Sequence, residues 1–142
     1  MALKYEAELK LRPDQPCPRL TRYRQRNLTA FRYLHNEATD ADFIPIAKID
    51  GVKPKDKCNK FALSFFVTLA QAAARYDDLV DRLGDRDRAI ERYGDHVGRI
   101  ELSEADGICC DPDSSGHFDL HEAADVDWSN RVDEYFELAN KV

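Results

Sequence analysis

The chain has 142 residues, 43% of them hydrophobic and 34% charged, a size at which one domain buries a core without disulfides or metals as staples. Its longest apolar run, Phe61 to Ala70, is broken by Ser64 and Thr68 and falls short of the ~20 residues needed to span a bilayer. Residues 1–60 hold 13 Lys and Arg against 8 Asp and Glu, while residues 61–142 hold 8 against 19, for a net charge of −6. That acidic balance argues against a polyanionic partner and for a protein partner or self-association between oppositely charged halves, unless the halves neutralise each other within the fold. Met1 to Glu6 lacks the apolar segment of an export signal, so the expected location is the cytoplasm and the four cysteines are expected to be reduced thiols.

Leu3, Tyr5, Ala7, Leu9 and Leu11 alternate with charged residues up to Pro13, the period of a half-buried strand. Leu20, Tyr23, Leu28, Phe31 and Leu34 are spaced roughly as one face of a helix, which predicts a short helix near 27–35. Phe43 to Ile49 reads as a strand, placed at a sheet edge because Pro45 has no N–H to donate. Asp50-Gly51 then turns the chain into a basic loop, Lys53 to Lys60.

Phe61 to Val67 is apolar at nearly every position, so a central strand covered on both faces is expected. Thr68 followed by Gln71 has capping-box spacing, and Leu69, Ala72, Ala73, Tyr76, Leu79, Val80 and Leu83 form one stripe ending at Gly84; this predicts a helix over 68–83. A second short helix follows over Asp85–Tyr93, then strands near 97–103 and 107–110. Val132, Tyr135, Phe136 and Ala139, with Asp127 or Ser129 as cap, predict a C-terminal helix over about 127–140.

Asp111 to Glu122 carries oxygen donors where a twelve-residue EF-hand loop needs them: Asp111, Asp113, Ser115, the His117 carbonyl, Asp119 and Glu122, with Gly116 at the sharp turn. These residues are the candidate calcium ligands. The flanks weigh against the motif, because the segment before Asp111 holds Gly98, Gly107 and strand-forming residues rather than a helix, and no second loop accompanies it. A β-hairpin accounts for the same residues, with Asp, Pro, Ser and Gly forming the turn and Phe118 and Leu120 alternating with His117, Asp119 and His121. The hairpin is the reading adopted, with no cofactor, and calcium is the alternative.

Arg19, Arg22, Tyr23, Arg24, Arg26 and Arg32 form a basic and aromatic stretch, a candidate patch for an acidic protein surface. The order of Arg24, then Ser64 on a strand running into an alanine-rich helix, then Glu122 resembles the layout of ADP-ribosyltransferase-type domains. The resemblance implies an enzyme acting on a nicotinamide dinucleotide through those three residues. No nucleophile elbow or glycine-rich phosphate loop accompanies them. The expectation is therefore a single α+β domain over residues 1–142. A mostly antiparallel sheet of about five strands would pack on the 68–83 helix and a C-terminal helix. Its expected role is that of a non-catalytic interaction or accessory module.

Overall fold

The computed structural model describes residues 1–9, 18, 21–51 and 58–138. Their centre is a sheet of seven antiparallel strands: β1 (Tyr23–Arg24), β2 (Leu28–Leu34), β3 (Leu63–Phe66), β4 (His96–Leu102), β5 (Gly107–Cys110), β6 (His117–Glu122) and β7 (Val132–Glu137). Their order across the sheet is β1-β5-β6-β3-β2-β4-β7. The helices are α1 (Glu6–Leu9), α2 (Ile46–Asp50), α3 (Leu69–Leu83) and α4 (Arg86–Tyr93), with 3-10 turns at Asp40–Phe43, Cys58–Phe61 and Glu104–Asp106. The α+β class stands, with more strands than expected. Among the described residues no helix is long and apolar enough to cross a membrane.

β3 lies at the middle of the sheet, as its two-faced apolarity requires. Register assigns Phe31, Tyr33, Phe66, Val97 and Phe136 to one face, where they pack with Ala72, Tyr76 and Ala89 of α3 and α4. Ala30, Ile100, Leu63, Phe65, Phe118 and Leu120 occupy the other face, covered by Phe43 and Trp128 stacked 5.0 Å apart. The helix over 69–83 forms as its caps dictate. Thr68 Oγ1 accepts from the Gln71 N–H, and Gly84 closes the last turn at φ 69, a left-handed value that glycine adopts without a Cβ clash. The second helix, β4, β5 and the β5–β6 hairpin also fall where the sequence puts them.

Four expected elements are different. The stretch 27–35 is strand β2, not a helix. Its helix-like spacing arises because Leu28, Ala30 and Leu34 face one side of the sheet and Phe31 and Tyr33 the other, and a strand buried on both faces has no clean period of two. Residues 43–49 are not an edge strand: Pro45, at φ −60 and ψ 147, precedes α2, which Gly51 ends at φ 71. The 3–12 strand is replaced, over its described part, by a bridge between Leu3 and Ala123 followed by the single turn α1. That turn brings Tyr5 and Leu9 together with Leu3 against Ala47 and Phe61. Residues 10–12 of the expected strand and 53–57 of the basic loop lie outside the described residues, and the rest of that loop enters the 3-10 turn at Cys58–Phe61.

The expected 127–140 helix is, over its described part, edge strand β7 paired to β4. Its capping signal is real but local: the Asp127 carboxylate accepts from the Ser129 N–H at 2.9 Å, and Arg131 N–H reaches the Trp128 carbonyl. The β-favouring Val132, Tyr135 and Phe136 then extend. The thiol expectation is also corrected. Cys109 and Cys110 are free, but Cys58 is disulfide-bonded; Cys17 lies outside the described residues.

Candidate functional site

Between the α3–α4 pair and the segment carrying α2 lies a cleft of about 930 Å³ on the helical side of the sheet. Its position follows from how β2 and β3 diverge. They pair at Phe31 and Phe66, after which the Arg32 side chain fills the gap. Its guanidinium donates to the Ser64 carbonyl at 2.8 Å and the Asp42 carbonyl at 3.0 Å, and it lies 5.7 and 5.8 Å from the Phe65 and Phe43 ring centres. Burial pulls its pKa down to about 10, against the opposing attraction of Glu122 and Asp42.

Ser64 and Asp119 face each other across the β3–β6 ladder on the cleft floor, with Phe66 and His117 the next pair on that face. Ser64 is exposed there, not the satisfied core hydroxyl its strand would suggest. His117 Nε2 is 3.7 Å from an Asp119 oxygen, and its Nδ1 is 4.0 Å from Asp113. Burial raises the Asp119 pKa, with His117 pulling the other way and Asp113 adding to the rise; a carboxyl so placed favours its neutral form.

The walls are mixed. Arg75 and Leu79 come from α3, Arg88, Glu91 and Arg92 from α4, and Ile44, Ile49 and Lys60 from the opposite side. Ile44 and Ile49, at the rim, are 38% and 57% exposed. Arg75 has Asp78 at 3.8 Å; among the described residues Lys60 and Arg88 have no carboxylate within ion-pair distance.

The calcium candidates are not brought to one point. Asp113 Oδ1 already accepts from the Ser115 N–H and hydroxyl and from the His117 N–H, while the His117 carbonyl accepts from the Asp113 N–H at 2.9 Å. The Ser115 hydroxyl is chiefly what lowers the Asp113 pKa. Asp111 pairs with Arg26. Asp119 and Glu122 stand on opposite faces of β6, Asp119 over the cleft and Glu122 buried at 1% exposure. Gly116 adopts φ 79 beneath the Gln71 side chain, so the hairpin itself needs the glycine that the ion-loop pattern also asks for.

Arg24, Ser64 and Glu122 are likewise apart. Arg24 sits on β1 at the sheet's edge with Cys109 as its register partner, two strands intervene before Ser64, and Glu122 faces the far side. The basic stretch is dispersed: Arg22 and Arg24 are exposed, Tyr23 packs on His121 with ring centres 5.2 Å apart, Arg26 is held by Asp111, and Arg32 fills the β2–β3 gap. Arg19 lies outside the described residues. Ion pairs Lys4–Glu122, Arg24–Asp111 and Arg26–Asp111 join the basic first half to the acidic second, so part of the charge polarity is spent inside the molecule. Lys60, Arg75 and Arg88 were not singled out by the sequence, since nothing in the spacing of isolated surface cations tells which three converge. Compared with protein-family models, curated proteins and solved structures, the chain matches none.

Proposed function

We propose that the chain is a non-catalytic interaction module that takes an extended acidic and apolar segment of a partner protein into the cleft between α2 and the α3–α4 pair. The observation that carries the reading is the cleft itself, with Ile44 and Ile49 exposed at its rim and Lys60 and Arg88 lacking carboxylate partners among the described residues. Apolar side chains of the partner would cover the isoleucines, and its carboxylates would meet the cations, which supply steering as well as specificity. The exposed Ser64 hydroxyl offers a polar anchor on the floor. The binding surface moves accordingly from the dispersed arginine stretch to the cleft.

Selection of a random peptide library on the purified full chain tests this, with counter-selection on Ile49→Glu and Arg88→Glu. Peptides rich in Asp, Glu and apolar residues should emerge, and the double variant should bind them at least about tenfold more weakly. Peptides that bind both proteins equally, or an association seen by light scattering that occurs only between copies of the chain and ignores both substitutions, would remove the cleft from the account.

A second reading, acid–base chemistry, is favoured by the floor itself, where a half-buried carboxyl with a raised pKa stands near an imidazole and a serine hydroxyl. It requires turnover of an ester, phosphoester or glycoside that Asp119→Asn abolishes; no turnover across such a panel would dispose of it.

A further inference from the structure

His35, immediately after β2 and half open to solvent, has a hydrogen-bond acceptor at each of its two ring nitrogens. Its Nδ1 is 2.7 Å from Asp42 Oδ1, and its Nε2 is 3.1 Å from the Ile90 carbonyl and 3.3 Å from the Glu91 carbonyl. The Asp42 carboxylate is fixed as an acceptor by the backbone N–H groups of His35 and Thr39, both at 3.0 Å. A neutral imidazole has one donor and can satisfy one side; the imidazolium has two and satisfies both. The carbonyls of Ile90 and Glu91 also belong to the last turn of α4, where a cation interacts favourably with the helix dipole.

We propose that His35 is a pH-operated clasp: its protonated ring ties the C-terminal turn of α4 to the Asp40–Phe43 turn and so closes one end of the cleft, and loss of one proton releases one side of the tie. His35, Asp42, Glu91 and Arg92 all line that end. A second tie runs beside it, from Arg92 to Asp50 of α2 at 2.9 and 3.4 Å, and it does not titrate near neutrality. The backbone is fitted closely here, since a Cβ on Gly94 would come within 2.0 Å of the Leu34 carbonyl. Charged groups on the surrounding elements are Arg32 of β2, Asp42, Glu91 and Arg92 of α4, and Asp95 with His96 at the start of β4. Of these, Arg32 is committed to carbonyls, Arg92 to Asp50 and Asp95 to His96, and Glu91 meets the ring through its backbone carbonyl, so Asp42 is the carboxylate bonded to the ring.

The Asp42 hydrogen bond raises the His35 pKa above its ordinary 6.5, with burial working against it. A raised value means the clasp holds fully below 6.5 and is lost as pH rises through the folded-state value. Its role as a gate rests on the reading of the cleft as a binding site, whereas the clasp itself does not.

Hydrogen exchange by mass spectrometry on the full chain, at about pH 5.5 and about pH 8.5 and corrected for intrinsic rates, tests it. Amides over 86–94 and 40–50 should exchange several-fold faster at the higher pH, roughly threefold to tenfold for the loss of one charge-assisted hydrogen bond. His35→Gln should remove the pH dependence, and Arg92→Gln should enlarge it. In parallel, the 15N shifts of the His35 ring should show both nitrogens protonated at about pH 6 and a titration midpoint above 6.5, a readout that needs no variant to fold. A singly protonated ring at about pH 6, or exchange unchanged with pH in the wild type, would overturn the clasp. Peptide binding with flat exchange would leave the cleft standing without it, and pH-dependent exchange without peptide binding would do the reverse.

Discussion

The Trp128 indole N–H donates to Glu122 Oε1 across 2.8 Å, and Lys4 Nζ reaches the same oxygen at 2.9 Å. One carboxylate thus joins the N-terminal segment, strand β6 and the segment that covers the sheet. The backbone repeats the connection, with Lys4 N–H donating to the Glu122 carbonyl and Ala124 N–H to the Ala2 carbonyl. Glu122 Oε2 is buried and has no partner among the described residues, so the charge is held by its other oxygen and by Lys4. Replacing Glu122 with Ala leaves the indole donor without an acceptor inside the core and opens a cavity. The expected cost is about 3 kcal/mol in urea unfolding. Glu122→Gln keeps an acceptor for Trp128 and should cost less than half of that. Equal losses for the two variants would show that charge, not the hydrogen bond, is what matters.

His121 should make the fold sensitive to acid. It is 1% exposed, its Nε2 has no hydrogen-bond partner among the described residues, and burial pulls its pKa down to about 4. Because the unfolded ring protonates near 6.5, the unfolded chain binds the extra proton first as pH falls. The contribution is complete above about 6.5 and declines between there and about 4, a total of about 3 kcal/mol. His121→Leu removes the titration, so the stability gap between variant and wild type should shift by about 2–3 kcal/mol in the variant's favour from pH 7 to about 4.5. A gap independent of pH would mean that the buried ring is already hydrated or paired.

The elements legible from sequence are those whose signals are local. Thr68, Gln71 and Gly84 specify the two ends of α3, and Asp85 and Gly94 those of α4; the turn formers between Cys110 and His117 specify the hairpin. What misled were patterns decided by distant partners. Leu28, Phe31 and Leu34 look like one stripe of a helix until β3 and β4 lie on either side and both faces are buried. Val132 to Glu137 contains β-favouring residues, but the open edge of β4 that turns this preference into a strand is not written in the segment itself. The candidate site is legible in part: Ser64, His117 and Asp119 each stand out singly in the sequence. Their convergence depends on the β3–β6 register, and the cations opposite them depend on how α2 and α4 pack.

Gly116 ties the hairpin to α3. A Cβ there would sit 2.1 Å from the Gln71 carboxamide oxygen, and φ is 79. The neighbouring Val67 N–H donates to the Gly116 carbonyl at 3.0 Å. Gly116→Ala therefore incurs backbone strain of about 1 kcal/mol and a displaced Gln71, for an expected loss of about 1–2 kcal/mol. In Gly116→Ala combined with Gln71→Ala the steric part disappears while the strain remains, so the pair should be non-additive in a thermal-unfolding cycle. Strict additivity would separate the hairpin from the helix.

Arg32 tests whether the basic stretch acts as one surface or as separate parts. Its guanidinium spans the divergence of β2 and β3 through two carbonyls and lies against Phe43 and Phe65, whereas Arg22 and Arg24 are exposed. Arg32→Ala leaves the Ser64 and Asp42 carbonyls without that donor and removes the packing between two rings, and should cost about 3 kcal/mol. Arg32→Lys cannot reach both carbonyls with a planar fork and should recover little of that. Arg22→Ala and Arg24→Ala should each stay within about 0.5 kcal/mol of the wild type. The loss at Arg32 should survive high salt, since hydrogen bonds and ring contacts in the gap are shielded from solvent ions. If Arg32→Ala instead unfolds at the same urea concentration as the surface variants, the gap closes without its arginine and the cleft floor is not held open by it.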